Sequence, residues 1–378
     1  EYIDPSEMQY LSAFNEVSKE SAFYRINLQK PGNPEFLTGG NYNLGTPVKA
    51  RNADAVIFTK ETFELFPDYE ISDLSFSKSK RLTDANPQQK DFLWGSCPEL
   101  LTWFSLDGKE IKGLLYKPAG FDPSKKYPMI VNFYEKSSDE MYRHRIPEPH
   151  RSTIDYHYYT SNGYLVFNPD VHYVDGYPGQ SAYNCVMPGI MHIIEKGFVD
   201  EKHIGAQGHS WGGYQVAYLA TRSDLFAAIE SGAPVVNMYS AYGGIRWETG
   251  LNRSFQYERE QSRIGASIWE APHLYWENSP LFAIEKVSTP ILIMANDKDG
   301  HVPWWQGIEF FIALRRLGKP SWLLNYTGEP HWPLKLPNKK DFQIRMSQFF
   351  GHYLKGEPMP RWMKEGIPAT EKDFTYGY

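Results

Sequence analysis

Near residue 98 the hydrophobic period of the chain changes, and that change restricts the fold more than any other feature of the sequence. Downstream, apolar runs of strand length recur at 129–134, 164–168, 203–207, 227–232, 291–295 and 322–326. Between them lie stretches with helical character at 189–196, 213–222, 304–317 and 341–354. Strands that alternate with helices pair largely in parallel, because each helix carries the chain back across a face of the sheet. Helices then cover both faces, so the strands read as apolar runs. Ahead of these units, residues 101–106 and 110–116 flank Asp107-Gly108, a strong hairpin signal. One antiparallel hairpin and six further strands predict an α/β domain with an eight-stranded, mostly parallel sheet over residues 96–378.

Residues 1–95 read differently. Short strand candidates at 22–28, 53–59 and 68–75 are separated by turn signals at 31–34, 39–41, 77–80 and 83–87. Such spacing fits β-propeller blades. One or two blades cannot bury their own faces, so further blades are expected ahead of Glu1. The chain begins at Glu1 without a signal-peptide pattern, and we expect Glu1 to lie inside a longer gene product.

Several function classes are disfavoured at this stage. A net charge of -6 with no like-charge run and no Lys/Arg stripe argues against a nucleic-acid partner. The longest apolar stretches, such as 290–295, are too short to span a bilayer. Cys97 and Cys185 fit no zinc spacing and are expected as buried thiols. No metal and no cofactor are expected.

The chemistry-bearing motif is Gly208-His209-Ser210-Trp211-Gly212, followed by Gly213-Tyr214. It sits between a strand candidate and a helix candidate, the setting in which Gly-x-Ser-x-Gly lifts a serine hydroxyl above a parallel sheet. Glycines are needed there because side chains at 208 and 212 would collide with neighbouring segments. The helix N-terminus beyond favours developing negative charge. An α/β-hydrolase with Ser210 as nucleophile is therefore expected.

A serine hydroxyl needs a base, and the base needs an orienting acid. In this fold they follow in the order Ser, Asp or Glu, His. The run at 291–295 leads into Asn296-Asp297-Lys298-Asp299-Gly300-His301-Val302, which offers two acids. The run at 322–326 leads into Thr327-Gly328-Glu329-Pro330-His331-Trp332, which places His331 where the base belongs. His301 competes by residue type but lies in the acid's loop.

These residues together resemble the prolyl oligopeptidase family of serine peptidases, especially its dipeptidyl peptidase IV-like branch, over about residues 98–354. The resemblance is carried by Gly208–Tyr214, by Gly197-Phe198-Val199-Asp200 and His203-Ile204 before it, and by Ser231-Gly232-Ala233-Pro234-Val235 after it. It implies an N-terminal propeller, in line with residues 1–95, and an oligopeptide substrate. The family's acid lies three residues before a valine, which assigns Asp299, with Val302 as the marker, and leaves Asp297 a turn acid. The oxyanion donors implied are the Trp211 backbone N–H and the Tyr134 hydroxyl. Val235, Val302 and His301 are implied in the substrate pocket, where His301 stands in place of an asparagine. A periplasmic or extracellular setting and a homodimer are further expectations of the resemblance.

The sequence also departs from the family. Ala295-Asn296 and Pro330-His331-Trp332 replace its His-Gly and Asp/Gly-His-Gly, and Met238 and Ala241 stand where large pocket aromatics are expected. A proline preference therefore has little support, and an ester hydrolase on the same fold is the alternative to a peptidase. His144, His150 and His157 with Arg143, Arg145 and Arg151 lack metal-ligand spacing and are expected on a solvated or substrate-facing loop. Trp304, Trp305, Phe310, Phe311 and Leu314 are expected in the core. Asn252-Arg253-Ser254 is a sequon of the kind that arises by chance.

Overall fold

The structure, a computed structural model, describes all residues except 1, 2, 31, 369, 372 and 373. Its main sheet has eight strands: β1 (Glu99–Phe104), β2 (Glu110–Tyr116), β3 (Tyr127–Asn132), β4 (Leu165–Pro169), β5 (Val199–His209), β6 (Ala228–Gly232), β7 (Ile291–Met294) and β8 (Ser321–Leu324). Their order is β1-β2-β4-β3-β5-β6-β7-β8. β1 and β2 form the antiparallel hairpin, β2 pairs antiparallel with β4, and every later pairing is parallel. The eight-stranded, mostly parallel sheet expected from the hydrophobic period is present.

Register explains where a site can form. Asn132 of β3 faces Gln207 of β5, His209 faces Gly232, Gly232 faces Met294, and Met294 faces Leu324. The carboxyl ends of the central strands thus finish in neighbouring rows, and the loops beyond them converge at one edge, where open α/β sheets place their sites. Both faces are covered. The helices Pro178–Ile194 (α1), Trp211–Ala220 (α2) and Trp305–Arg316 (α3) pack on one side with Ile204, Ala206, Ile229 and Ile293. The helix Leu336–Lys355 (α4) covers the other through Phe342, Met346, Phe349 and Phe350, all fully buried.

Helix α1 is longer than the expected 189–196. It starts at Pro178, a residue suited to a first helical turn, and runs through Pro188. A proline inside a helix leaves the carbonyl four residues earlier without its donor. Here that carbonyl, Asn184 O, accepts instead from Leu106 N–H at 3.0 Å. A tertiary contact rescues a segment that local rules would break. In α3 the core expectation holds for Phe310 and Leu314, whereas Trp305 is exposed.

The first 95 residues carry small antiparallel sheets. One is built from Met8–Phe14, Ser21–Asn27 and Glu35–Gly40. The other orders Asn43–Leu44, Ala55–Glu61, Asp68–Asp73 and Lys80–Arg81, with Val48–Lys49 also pairing Ala55–Glu61. They are consistent with the end of a propeller. Met8–Phe14 has no counterpart in the sequence reading, because its apolar residues follow no clean alternation. Gly39 and Gly40, expected in a turn, close a strand instead, and Gly39 pairs with Ala22. Pro31, from the turn expected at 31–34, lies outside the described residues.

The expected solvated or substrate-facing loop holds for two of its arginines, Arg143 being exposed and Arg145 lining the cleft that contains Ser210, but not for two of its histidines. His144 and His157 are buried where these sheets meet the main domain; His144 Nδ1 lies 3.0 Å from Phe63 O, and His157 stacks on Phe63. Burial pushes His157 down to about 3 and His150 down to about 4. Among the described residues there is no group of three or more His, Cys, Asp or Glu able to hold a metal, and no helix long and apolar enough to cross a membrane.

Candidate active site

Ser210 occupies the tight turn between β5 and α2, with φ 61° and ψ -116°. That is a strained backbone for a residue with a side chain. The strain is imposed from both sides. Ser210 N–H donates to Gly232 O at 2.7 Å, and Tyr214 N–H returns to Ser210 O at 3.0 Å. A methyl group at 208 would lie 2.3 Å from Gly212 O, and one at 212 would lie 2.8 Å from Phe133 O. Only glycine permits these approaches. Trp211 is the first residue of α2, so its N–H has no acceptor within the helix. Its indole is buried and turned away, donating to Tyr173 OH at 3.1 Å.

His331 lies in the loop after β8 and Asp299 in the loop after β7; both are buried. His331 Nδ1 is 2.6 Å from Asp299 Oδ2. The other carboxylate oxygen accepts from the N–H groups of His301 at 2.8 Å and Val302 at 2.9 Å. Asp297 is turned elsewhere and accepts from Gly328 N–H at 2.7 Å. Of the two acids offered by the sequence, the structure brings Asp299 to the histidine. Fixing Nδ1 on a carboxylate leaves Nε2 as the free ring nitrogen.

Asn296 explains one departure from the family pattern. It is fully buried; its Oδ1 accepts from Tyr326 N–H at 3.1 Å and its Nδ2 donates to Pro330 O at 2.9 Å. It therefore ties the acid loop to the histidine loop. Residue type alone could not have signalled this, since both contacts reach more than 29 positions along the chain.

Ser210, His331, Tyr134, His301 and Val302 line one cleft of about 720 Å³. Among the described residues Ser210 and His331 share it without a hydrogen bond between them; such contacts commonly tighten only with substrate in place. Tyr134 lies two residues beyond β3. Its hydroxyl accepts from Gln261 Nε2 at 2.7 Å and has the Ser210 side chain beside it, while partial burial raises it above the usual tyrosine range. His301 stacks on His331 with ring centres 4.9 Å apart, and burial together with His331 holds it below the usual histidine range. Val235 is not on the cleft surface but packs behind it with Trp211, Tyr214 and Val302.

Sequence reasoning missed three residues here. His209 is buried behind Ser210, its ring centre 4.7 Å from that of His331, and both its nitrogens lack partners. Glu230 of β6 is fully buried, and Arg253 lines the cleft with almost no exposure. The signal available for Arg253 was a basic residue inside an otherwise uninformative sequon.

A strained serine after the fifth strand, with an Asp–His pair in the loops after the seventh and eighth, is the arrangement of an α/β-hydrolase. The chain belongs to the prolyl oligopeptidase family, whose model matches residues 157–357, more than half of its length. It is 26% identical over 266 residues to an uncharacterized peptidase, YuxL, of Bacillus subtilis (67% of this chain, 38% of the relative). It is 25% identical over 363 residues to dipeptidyl-peptidase 5 of Porphyromonas gingivalis (92% of this chain, 49% of the relative). Pyrococcus horikoshii acylaminoacyl peptidase shares the fold, with a TM-score of 0.72 at 21% identity over 93% of this chain and 55% of that one. The chain thus spans half or less of the length of these two sequence relatives.

Proposed function

We propose that the protein is a serine peptidase that cleaves oligopeptides through a covalent acyl-enzyme, with Ser210 as nucleophile, His331 as base and Asp299 as its orienting acid. The observation that carries this reading is the 2.6 Å Asp299–His331 contact in the cleft that Ser210 faces from its strained turn. Ser210 Oγ attacks the scissile carbonyl while His331 Nε2 takes its proton. His331 then returns that proton to the leaving amine as the C–N bond breaks. Water, activated by the same imidazole, releases the acid and regenerates Ser210. Asp299 holds the imidazole in the required tautomer and balances its transient positive charge. Trp211 N–H and Tyr134 O–H are the donors for the tetrahedral oxyanion.

Residues 1–95 would close a propeller, and 96–378 would form the catalytic domain. A propeller mouth would admit flexible peptides and exclude folded proteins, hence the oligopeptide substrate class. The test is twofold. A fluorophosphonate probe should label Ser210, and an aminoacyl amide should be turned over as well as the matching ester. Labelling with turnover of the ester alone would favour an ester hydrolase; no labelling would remove the serine mechanism.

A further inference from the structure

Among the described residues three lysine or arginine side chains are buried: Lys19, Arg345 and Arg253. Lys19 meets Asp139 at 2.6 Å and Arg345 meets Asp341 at 2.8 Å. Arg253, 2% exposed, has no carboxylate within 4.0 Å among the described residues. One terminal nitrogen donates to the carbonyl of His301, the other reaches Tyr257 OH at 3.3 Å, and Nε has no partner. Its guanidinium carbon lies 5.8 Å from the centre of the Tyr257 ring, and Tyr257 packs with Tyr242 and Val302 in one buried apolar cluster. Removing a guanidinium from water into such a place disfavours folding unless an anion joins it. Arg253 lines the same cleft as Ser210, and so does Arg246, which likewise has no carboxylate within 4.0 Å. Four acids stand in or beside the cleft: Glu135 and Glu140 are paired with Arg263 and Arg145, Glu260 is exposed on the rim, and Glu248 lies 3.4 Å from His301 Nδ1.

Building on the proposed peptidase reaction, we infer that the missing anion is a carboxylate of the substrate, held by Arg253 with Arg246 near it, so that the enzyme selects acidic peptides. Guanidinium forks match carboxylates in geometry and charge, and an amide cannot replace that pairing. Because Arg253 also grips His301 next to the acid loop, a merely supporting role must be separated from selection.

The experiment compares kcat/KM for peptidyl coumarin amides that differ only in the acyl residue at the scissile bond: Glu, Asp, Gln and Leu. A second arm compares peptides with a free C-terminal carboxylate against their C-terminal amides. The native protein should favour the carboxylate over its amide by on the order of 10-fold in one arm, which also tells a side-chain carboxylate from a terminal one. Arg253→Met should bring that ratio near one, the carboxylate substrates losing far more than their Gln, Leu or amide counterparts. Arg253→Lys should restore part of it, and Arg246→Ala should lower it without touching the His301 carbonyl. Equal losses on all substrates with the ratio unchanged, or no carboxylate preference in either arm, would overturn the inference. Fluorophosphonate labelling of Ser210 is read alongside. A labelled enzyme without preference sinks the carboxylate site alone, whereas an unlabelled one withdraws the peptidase reading and this inference with it.

Discussion

Two buried carboxylates lie near the strained serine, each beside a histidine, and they differ in how many donors reach them. Asp299 takes two backbone N–H groups on one oxygen and His331 on the other. Glu230 takes one amide N–H, from Gln207 at 2.8 Å, and its Oε1 has no partner. Burial pushes Glu230 up to about 8, so it stays protonated through neutral pH. A methyl group on Gly232 would lie 2.7 Å from His209 Nδ1 and 3.2 Å from Glu230 Oε1, so these two groups crowd one spot. His209 is held well below the usual histidine range, first by burial and then by His331. One neighbourhood supplies the donors an anion needs, and the other keeps both groups neutral. In an interior of low polarity, hydrogen-bond supply decides which carboxyl group can carry charge.

The largest effect tests the first neighbourhood as a unit. Ser210→Ala or His331→Ala should lower kcat by roughly 10⁴-fold or more, and the double variant should be little worse than either. Additive losses in steady-state assays would break the unit. Asp299→Asn should cost about 10³–10⁴-fold with binding largely kept, because the histidine would lose its tautomer. Asp297→Asn, by contrast, should stay within a few-fold. Reversal of that pair would transfer the acid's role to the exposed turn. Tyr134→Phe removes the proposed side-chain oxyanion donor and should lower kcat by about 10²-fold with little change in KM.

The second neighbourhood should show itself in stability rather than rate. In the fold Glu230 keeps its proton to about pH 8, whereas its ordinary value is 4.5. The folded chain therefore binds more protons between these values, and stability falls as pH rises from about 4.5 to 8. Glu230→Gln mimics the neutral acid and still accepts from Gln207. Urea unfolding should give it the stability of the native protein near pH 4.5 and a greater stability at pH 8, by up to about 4 kcal/mol. An unchanged difference across that range would show that Glu230 does not titrate as described. The smallest effect is the mirror image. His209 is depressed in the fold, so protonation of the unfolded chain draws stability away as pH falls below about 6.5. His209→Phe should flatten that acid limb.

Much of the α/β domain was legible because its signals are local. Apolar runs and turn glycines are read within windows of about ten residues, and Ser210 sits in the turn that those glycines mark. Helix α1 was half hidden, since the carbonyl freed by Pro188 is satisfied from another element. Arg253 and Gln261 were invisible for a related reason: their contacts, to His301 and Tyr134, cross 48 and 127 positions. The histidines at 144 and 157 were misplaced because nothing local says that Phe63 will cover them.

By itself the sequence determined the strand–helix alternation and the turn that only Gly208 and Gly212 allow at Ser210. Backbone sterics and hydrophobic period depend on near neighbours. The residues by themselves left two acids open, which the family resemblance narrowed to Asp299; the tertiary structure alone decided which buried groups are neutral and, among the described residues, which buried cation has no carboxylate beside it. Those outcomes depend on desolvation and on donors supplied by distant segments, and both come into being only when the sheet has brought its loops together.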